Sequence, residues 1–393
     1  MTTLAAVLFW LSAAGLAYTH LGYPLLLWAL VRTTARKRPT ARRLRDRGGS
    51  SPPNFGDAAT AEPPTVSLIV PAYDEEEVIA DKVANALALD YPRERLQVIV
   101  ASDGSADATV ERARAAGASI VLELPPGGKV AALDAAAERA AGEILAFSDA
   151  NSVWARDALR RLVAPFADPG VGYVCGQVRF LDPEGNNLEG SYWRYEMAVR
   201  EAESALAGIT AGNGAIYAVR CDAYIPLPPS GSHDLSFPFR LAKRRLRSLY
   251  EPGARAEEKM VPTIEGEFAR KRRMMVGLWD IVAGEGMLSP RGYQPLYALE
   301  IFSHRLLRYL TPILHVTAFL ANALLLGSGR FYVLAFIGQL AFLAAALLAG
   351  PLPIAPFRIA RYYLLTTASI AAGFWDRLRH GAGGRWEKAE GTR

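Results

Sequence analysis

Polar side chains that can bind a metal ion follow a short apolar run near the middle of the chain. Asp149 and Asn151 come directly after the apolar residues Ile144–Phe147. A short apolar run is typical of a buried strand, so both side chains are expected at its carboxyl end. Carboxylate and amide oxygens are ligands that Mg²⁺ and Mn²⁺ accept. We therefore predict a divalent metal site at Asp149 and Asn151.

Three other predicted strand ends or helix starts carry residues that suit a nucleotide. They are Pro71, Tyr73 and Glu75 after the first strand, Asp103 after the second, and Gly127, Gly128 and Lys129 at the start of the third helix. Each signal alone is also what a helix cap requires. A nucleoside diphosphate needs an acceptor for its base, a cation for its phosphates and a bridging metal ion. Together, the four places supply one candidate for each.

These residues require a sheet that brings the strand ends together. Short β-rich runs at residues 66–70, 96–101, 119–123 and 144–147 alternate with helical stretches at residues 75–89, 106–116 and 130–141. The alternation predicts an α/β fold with a mostly parallel sheet that is covered by helices on both faces. Ligands of such sheets bind beyond the carboxyl ends of the strands.

The composition indicates that part of the chain lies in a membrane. Apolar residues make up 51% of the 393 residues and concentrate in residues 4–31 and 309–375, which is more than an ordinary soluble enzyme needs. The net charge of +5 lies largely in a basic run after residue 31, so no nucleic-acid partner is expected. Cys175 and Cys221 have no metal-binding spacing, and we expect two buried free thiols in a reducing cytoplasm.

Residues 1–31 form a predicted transmembrane helix. They contain no Asp, Glu, Lys or Arg, and about 20 apolar residues suffice to cross a bilayer. A cleaved signal peptide is the alternative, but its apolar region is usually about 7–15 residues long. Residues 32–65 are rich in arginine and proline and are predicted to form a basic flexible linker. Because basic flanks stay in the cytoplasm, the amino terminus is expected to face outward.

The carboxyl-terminal part is predicted to return to the membrane. We expect an interfacial helix at residues 286–308, two transmembrane helices within residues 309–350, and an interfacial helix with a basic tail at residues 351–393. Basic residues on both sides of residues 359–375 favour an interfacial or re-entrant helix over a further span. The sequence thus predicts a multi-pass protein of the inner (plasma) membrane with three spans and a cytoplasmic catalytic domain.

As a set, the motifs resemble those of the family-2 glycosyltransferases with a GT-A fold, particularly the membrane-bound bacterial synthases of polysaccharides and glycolipids. The resemblance rests on residues 70–76, 101–107, 127–129 and 147–151 and on three later blocks. It implies a Rossmann-like GT-A domain at residues 66–285, flanked by transmembrane helices. It also implies a nucleotide-sugar donor.

The resemblance assigns roles to the strand-end residues. In this family, residues that match Tyr73 and Glu75, in the block that begins with Pro71, contact the base or ribose. The residue that matches Asp103 reads the uracil, which favours a UDP-sugar, and the lysine that matches Lys129 approaches the diphosphate.

The metal-binding motif departs from the family pattern. The acid that matches Asp149 binds Mg²⁺ or Mn²⁺ in the family, but Asn151 stands where a second acid is usual. An amide oxygen still ligates these ions and brings less charge, so we expect weaker metal binding.

Two later blocks, within residues 208–240, match those that handle the acceptor. Gly212, Asn213 and Gly214 resemble a glycine-rich stretch that lets the acceptor sugar approach closely, although a tight turn before a strand would also explain them. Asp234 matches the catalytic base, which takes the proton of the acceptor hydroxyl during a single inverting displacement. His233, which we also assign to the acceptor side, replaces an acid that the family often has.

The third block, at residues 267–277, contains a basic cluster. Related polymer synthases have a Gln-x-x-Arg-Trp motif here, in which Arg273 takes the place of the arginine and Met274 that of the tryptophan. Arg273 could neutralise the departing diphosphate. A basic helix face near lipid is the alternative.

We therefore expect an inverting, metal-dependent transferase that moves a sugar from a nucleoside diphosphate to a lipid-linked or growing saccharide, with UDP as the expected nucleotide. A processive synthase that exports its polymer, with an oligomer or partner subunit completing the conduit, is one alternative. A catalytically inactive membrane scaffold is another, because three motif positions carry unusual residues.

Overall fold

The computed structural model describes residues 2–35, 62–181, 191–229, 231–259, 264–352 and 354–381. The chain divides into two compact units. A helical unit comprises Met1–Trp28, Thr263–Trp279 and Leu299–Gly381, and a sheet unit comprises Ala29–Pro262, Asp280–Ala298 and Ala382–Arg393. Most of the predicted linker and of the basic tail lies outside the described residues.

The sheet unit is built on one eight-stranded mixed sheet. Its strands are β1 (Val66–Ala72), β2 (Leu96–Asp103), β3 (Ile120–Leu124), β4 (Ile144–Phe147), β5 (Val153–Trp154), β6 (Val171–Leu181), β7 (Tyr217–Arg220) and β8 (Arg247–Lys259). They lie in the order β3-β2-β1-β4-β7-β6-β8-β5. The first four strands are mutually parallel, whereas β7 pairs antiparallel with β4 and β6. The predicted α/β fold is confirmed.

The described helices surround the sheet or form the helical unit. In chain order they are α1 (Thr2–Ala17), α2 (Tyr23–Ala35), α3 (Ile79–Leu87), α4 (Thr109–Ala115), α5 (Lys129–Glu138), α6 (Ala158–Val163), α7 (Ser191–Ala205), α8 (His233–Lys243), α9 (Ile264–Trp279), α10 (Pro295–Glu300), α11 (Leu307–Tyr309), α12 (Thr311–Leu324), α13 (Arg330–Leu348) and α14 (Ala355–His380). All seven residues of β1 are buried, as expected for a central strand that is covered on both faces.

Two helices begin later than the sequence predicts because the loops after β1 and β2 bind each other. α3 begins at Ile79 and α4 at Thr109. The N–H of Ala106 donates a 2.7 Å hydrogen bond to Asp74 Oδ1, and the N–H of Glu76 donates one of 3.1 Å to Asp107 Oδ2. The two aspartates therefore cap the neighbouring loop instead of starting a helix.

Among the described residues, two helices are long and apolar enough to cross a membrane. They are Thr2–Thr34, in which a wider turn at Tyr18–Gly22 joins α1 to α2, and α13. The predicted second span falls on α12, which is apolar but has only 14 residues. The segment that we expected to be interfacial near the carboxyl end belongs to α14, one helix of 26 residues. The three-span arrangement and the proposed domain limits stay predictions.

Candidate active site

Asp103 fixes the loop that precedes α5. The N–H of Gly127 donates a 2.7 Å hydrogen bond to Asp103 Oδ1, and that of Gly128 donates to both carboxylate oxygens at 3.1 and 2.9 Å. Gly104, next to Asp103, has φ of +67°, and a Cβ there would lie 2.5 Å from Pro126. Asp103 at the end of β2 thus fixes the loop that follows β3. Lys129 is the residue directly after Gly128.

Lys129 reaches from the start of α5 to the end of β4. Its Nζ forms an ion pair with Asp149 Oδ1, and a Cβ on Gly214 would lie 3.8 Å from each of the two side chains. Burial lowers the pKa of Lys129, but the carboxylates of Asp149, Asp234 and Glu258 outweigh it, so its pKa is raised. Lys129 therefore keeps its charge throughout the neutral range, as a diphosphate-binding cation requires.

Asp234 lies in the first turn of α8 and faces the same region. Its carboxylate and that of Asp149 both stabilise the charged form of Lys129. The pKa of Tyr217 is raised mainly by burial, and the same two carboxylates add to that rise. Ser232 Oγ donates a hydrogen bond to Asp234 Oδ1. The N–H of Gly212 donates a 2.7 Å hydrogen bond to the Asp234 carbonyl oxygen. The structure thus brings the predicted base, cation and metal ligand together in the sheet unit.

The glycine-rich stretch is a close-packed loop before β7. Asn213 closes it, because its amide donates to the Gly176 carbonyl at 2.6 Å and its Oδ1 accepts from Ile216 N–H at 3.0 Å. A Cβ on Gly212 would overlap the hydroxyl of Tyr173 and come within 2.8 Å of its ring. The turn that we weighed as an alternative is therefore present, and contact with the acceptor stays a prediction for all three residues.

The variant Gly212→Ala tests this close approach. We expect it to lower activity strongly, because the new methyl group must displace Tyr173 or the loop that hydrogen-bonds Asp234. The double variant with Tyr173→Phe should recover part of the activity, since it removes the hydroxyl that the methyl group meets. Initial rates of the two variants and of Tyr173→Phe alone measure the effect. Equal rates for Gly212→Ala and the unaltered enzyme would contradict it.

His233 is not on an open acceptor surface. It is 5% exposed, its Nδ1 lies 2.7 Å from Tyr217 Oη, and its ring packs edge-on against Phe147 and Phe237. Burial, with a contribution from Lys129, lowers its pKa to about 3. The ring is therefore neutral and buried within an aromatic cluster. A direct contact between His233 and an acceptor, which we expected, does not fit this position, and His233 instead anchors the start of α8.

The buried, neutral His233 is expected to make the free energy of unfolding fall as the pH is lowered. Because the folded pKa of His233 lies near 3 and the unfolded value near 6.5, the unfolded chain binds the extra proton first. The stabilising contribution is complete above about pH 6.5 and declines by up to about 1.4 kcal/mol per pH unit as the pH falls towards 3. Denaturant unfolding of the protein and of His233→Phe between pH 7 and 4 should show a shallower pH dependence for the variant. Parallel slopes would contradict this assignment.

The predicted nucleotide residues after β1 differ in accessibility. Pro71 is buried within β1 and pairs with Ala101, whereas Tyr73 is partly exposed. Glu75 is 3% exposed, and its N–H donates a 2.7 Å hydrogen bond to Thr109 Oγ1. Tyr73 is therefore the residue of this block that is best placed for a ligand, and the nucleotide roles of all three stay predictions.

Arg273 belongs to the helical unit, where it is exposed on α9. Its neighbour Arg272 forms a two-bond ion pair with Asp376 of α14 at 2.5 and 2.6 Å. Lys271 donates a 2.9 Å hydrogen bond to Tyr362 Oη. The basic cluster therefore ties α9 to α14 in part, and a role of Arg273 at the diphosphate stays a prediction.

Comparison with known proteins places this arrangement in a family. Residues 67–225, which include Asp103, Lys129, Asp149 and the glycine-rich loop, match the family model described as Glycosyl transferase family 2. The sheet unit thus resembles a family-2 glycosyltransferase domain over these residues. A solved structure of the mannosyltransferase PcManGT from Pyrobaculum calidifontis, in complex with GDP-Man and Mn²⁺, is 26% identical with a TM-score of 0.70 and covers 94% of this chain and 99% of that chain. The GT-A fold is thereby confirmed.

Curated relatives are similar in sequence to part of this chain. A beta-monoglucosyldiacylglycerol synthase of Synechocystis sp. is 36% identical over 170 residues, which is 39% of this chain and 33% of the relative. An N-acetylglucosaminyltransferase of Mesorhizobium japonicum is 28% identical over 252 residues, which is 56% of this chain and 57% of the relative. This chain therefore spans only about a third to somewhat over half of the length of these relatives.

The segment that follows β4 offers a candidate site for a divalent metal ion. Asp149 and Asn151 offer oxygen ligands of the type that Mg²⁺ and Mn²⁺ bind. Within the described parts of the chain, no three His, Cys, Asp or Glu residues are grouped so that they could hold a metal ion on their own. Mg²⁺ usually takes one or two carboxylates from the protein and the rest from phosphates and water. A metal ion at Asp149 and Asn151 would therefore need further ligands from phosphates or water.

Sequence motifs missed several residues that support this site. Arg200 of α7 donates a 3.1 Å hydrogen bond to the Gly212 carbonyl, and Lys82 of α3 donates one of 2.7 Å to the Ser152 carbonyl. Neither belongs to a motif, although a lysine on the apolar face of a predicted helix is itself unusual.

Cys221 is exposed and only Cys175 is buried, so the expected pair of buried thiols is wrong. Cys221 follows β7, the strand that pairs with β4, at the surface end.

Proposed function

We propose that the protein transfers a sugar from a nucleoside diphosphate to an acceptor hydroxyl with inversion at the anomeric carbon. The observation that carries the proposal is the ion pair between Lys129 and Asp149, together with the nearby carboxylate of Asp234, which also raises the pKa of Lys129. A cation and a metal ligand suit the diphosphate, and a separate carboxylate suits proton removal. No second carboxylic acid is needed on the leaving group, because a diphosphate departs as an anion.

In this mechanism each residue acts on a different part of the reaction. Asp234 accepts the proton of the acceptor hydroxyl as that oxygen attacks the anomeric carbon and the bond to the diphosphate breaks. Lys129 stabilises the negative charge that grows on the departing diphosphate. Asp149 and Asn151 would hold Mg²⁺ or Mn²⁺, which supplies further positive charge to the diphosphate when bound. Asp103 acts through the Gly127–Gly128 turn, which sets the position of Lys129.

The family resemblance at Asp103 supports a UDP-sugar as donor, whereas PcManGT binds GDP-Man. Asp103 accepts three hydrogen bonds from Gly127 and Gly128, and because a carboxylate has about four lone-pair sites, one site on Oδ2 is left for a base. We retain UDP as the proposed nucleotide. A donor panel separates the possibilities, since it can include UDP-glucose, UDP-N-acetylglucosamine and GDP-mannose with and without Mn²⁺.

A lipid-linked or growing saccharide at a membrane surface is the proposed acceptor. Relatives include a beta-monoglucosyldiacylglycerol synthase and a poly-beta-1,6-N-acetyl-D-glucosamine synthase. The helical unit also displays many exposed apolar side chains along α1, α12 and α13, among them Leu11, Leu320 and Leu334 at 65%, 57% and 68% exposure. A surface of this kind is expected to face lipid. We propose a location in the plasma membrane with the sheet unit in the cytoplasm.

The deciding experiment measures release of nucleoside diphosphate by the detergent-purified protein with each donor, Mn²⁺ and a panel of lipid and saccharide acceptors. Release that depends on donor, metal and acceptor supports the proposal. Absence of release with every donor, from protein that is shown to be folded, would favour the inactive scaffold. The products distinguish the remaining alternative, because a single added sugar supports one transfer and a polymer ladder supports a processive synthase.

A further inference from the structure

A buried lysine supports the donor loop, which we define as residues 149–152. Lys82 is 2% exposed, and its ammonium donates a 2.7 Å hydrogen bond to the carbonyl oxygen of Ser152. The ammonium also lies 5.2 Å from the ring centroid of Trp154. Burial of a cation is unfavourable unless nearby groups compensate it. Because this buried lysine contacts a predicted ligand loop, we expect it to have a role in that loop.

The hydroxyl group of Ser152 is held by an acid. Its hydroxyl donates a 2.5 Å hydrogen bond to Glu258 Oε1 of β8, and Ser152 itself is 1% exposed. Asn85, nearly one turn after Lys82 on α3, makes two further hydrogen bonds of 2.9 Å with the main-chain N–H and C=O of Trp154. The segment that follows Asp149 is thus gripped by α3 and β8 together.

The grip connects directly to the predicted metal ligand. The N–H of Ser152 donates a 3.2 Å hydrogen bond to the Asp149 carbonyl oxygen. Burial lowers the pKa of Lys82 to about 7, and the carboxylates of Asp149 and Glu258 oppose that shift. The same two carboxylates act on Lys129. The same two acids therefore favour the charged forms of both lysines.

We propose that Lys82 and Glu258 are positioning residues that form a clamp on Ser152, Lys82 through the carbonyl oxygen and Glu258 through the hydroxyl, and thereby keep Asp149 in the geometry for binding a metal ion together with a nucleoside diphosphate. The inference rests on the proposed function. Neither residue needs to touch the substrate, because both act through Ser152. Displacement of a ligand by about 1 Å is enough to weaken a site of this kind greatly.

Calorimetric titration of UDP and of GDP, each with and without Mn²⁺, tests the inference. Lys82→Met removes the ammonium at nearly constant length, and Glu258→Leu removes the acceptor for the Ser152 hydroxyl at similar side-chain volume. Each variant should bind the nucleotide that the unaltered protein prefers about tenfold more weakly with Mn²⁺, as loss of a residue that orients a metal ligand typically does. The double variant should bind no more weakly than the worse single variant, because both act through one residue.

Ser67→Ala is the matched control. Ser67 is fully buried, and its hydroxyl bonds Gln97 Oε1 at 2.6 Å and the N–H of Gly142 at 2.9 Å, near the end of β1 that is remote from the ligand-binding edge. This control should lose thermal stability without losing nucleotide affinity. A structural role alone would give the clamp variants the same behaviour.

The outcomes separate the two proposals. If the unaltered protein binds a nucleotide with Mn²⁺ and the folded clamp variants bind it equally well, the clamp is wrong and the proposed function stands. If the unaltered protein binds neither nucleotide, the proposed function is wrong and the clamp falls with it. Should Lys82→Met fail to fold, Glu258→Leu alone decides, because it removes the other contact to Ser152 and nearly keeps the volume of the side chain.

Discussion

Asp234→Asn is expected to lower kcat for sugar transfer about a thousandfold, within the range that loss of a general base causes. Asparagine keeps the shape of aspartate but cannot accept the proton of the acceptor hydroxyl. The local fold should survive, because the 2.7 Å bond from Gly212 N–H goes to the main-chain carbonyl of residue 234. Donor binding should therefore change little. Product formation and calorimetric donor titration, performed on the same preparation, measure the two quantities.

Asp222→Asn is the matched control for this prediction. Asp222 is an exposed acid in the short turn after β7, so its amide variant should transfer sugar at the rate of the unaltered protein. Loss of a general base usually lowers kcat by about a hundredfold or more. If Asp234→Asn retains more than about a tenth of the unaltered kcat, then another residue removes the proton.

Local sequence pattern was sufficient to predict the strands that carry the donor side of the site. β1, β2 and β4 are short apolar runs that end at polar residues, and a strand covered on both faces needs an apolar residue at nearly every position. The parallel alignment follows from the alternating helices. Because the ends of parallel strands share one edge, the meeting of Lys129 with Asp149 could be expected before any coordinates were known.

The roles of individual polar residues depend on contacts between distant segments, which pattern does not reveal. Asp103 was predicted to meet a base, which stays a prediction, and no motif indicated that its carboxylate also binds two N–H groups of the next loop. His233 was assigned to the acceptor side, yet it is enclosed by rings from β4, β7 and α8. Lys82 carries no motif because its partner is a main-chain carbonyl, which any residue at position 152 would provide.

Asp149→Asn is expected to remove metal-dependent activity, with kcat/KM falling about a thousandfold, which corresponds to about 4 kcal/mol of transition-state stabilisation. The substitution deletes the only carboxylate of the predicted metal motif and the partner of Lys129. Folding should be little affected, because the two side chains are 36% and 29% exposed and a partly exposed ion pair contributes little to stability. Activity against Mn²⁺ concentration and a thermal melt of the same protein measure both effects.

Asn151→Asp is the counterpart that should move metal binding in the opposite direction. It restores a second carboxylate, so the Mn²⁺ concentration for half-maximal activity should fall, because an added charge strengthens binding of a hard cation. The two variants together separate a metal role from a purely electrostatic role for Asp149. If Asp149 only compensates the charge of Lys129, then Asn151→Asp leaves the Mn²⁺ requirement unchanged and Asp149→Asn retains its response to Mn²⁺. Opposite shifts in the Mn²⁺ requirement would instead identify the end of β4 as the place where the ion binds.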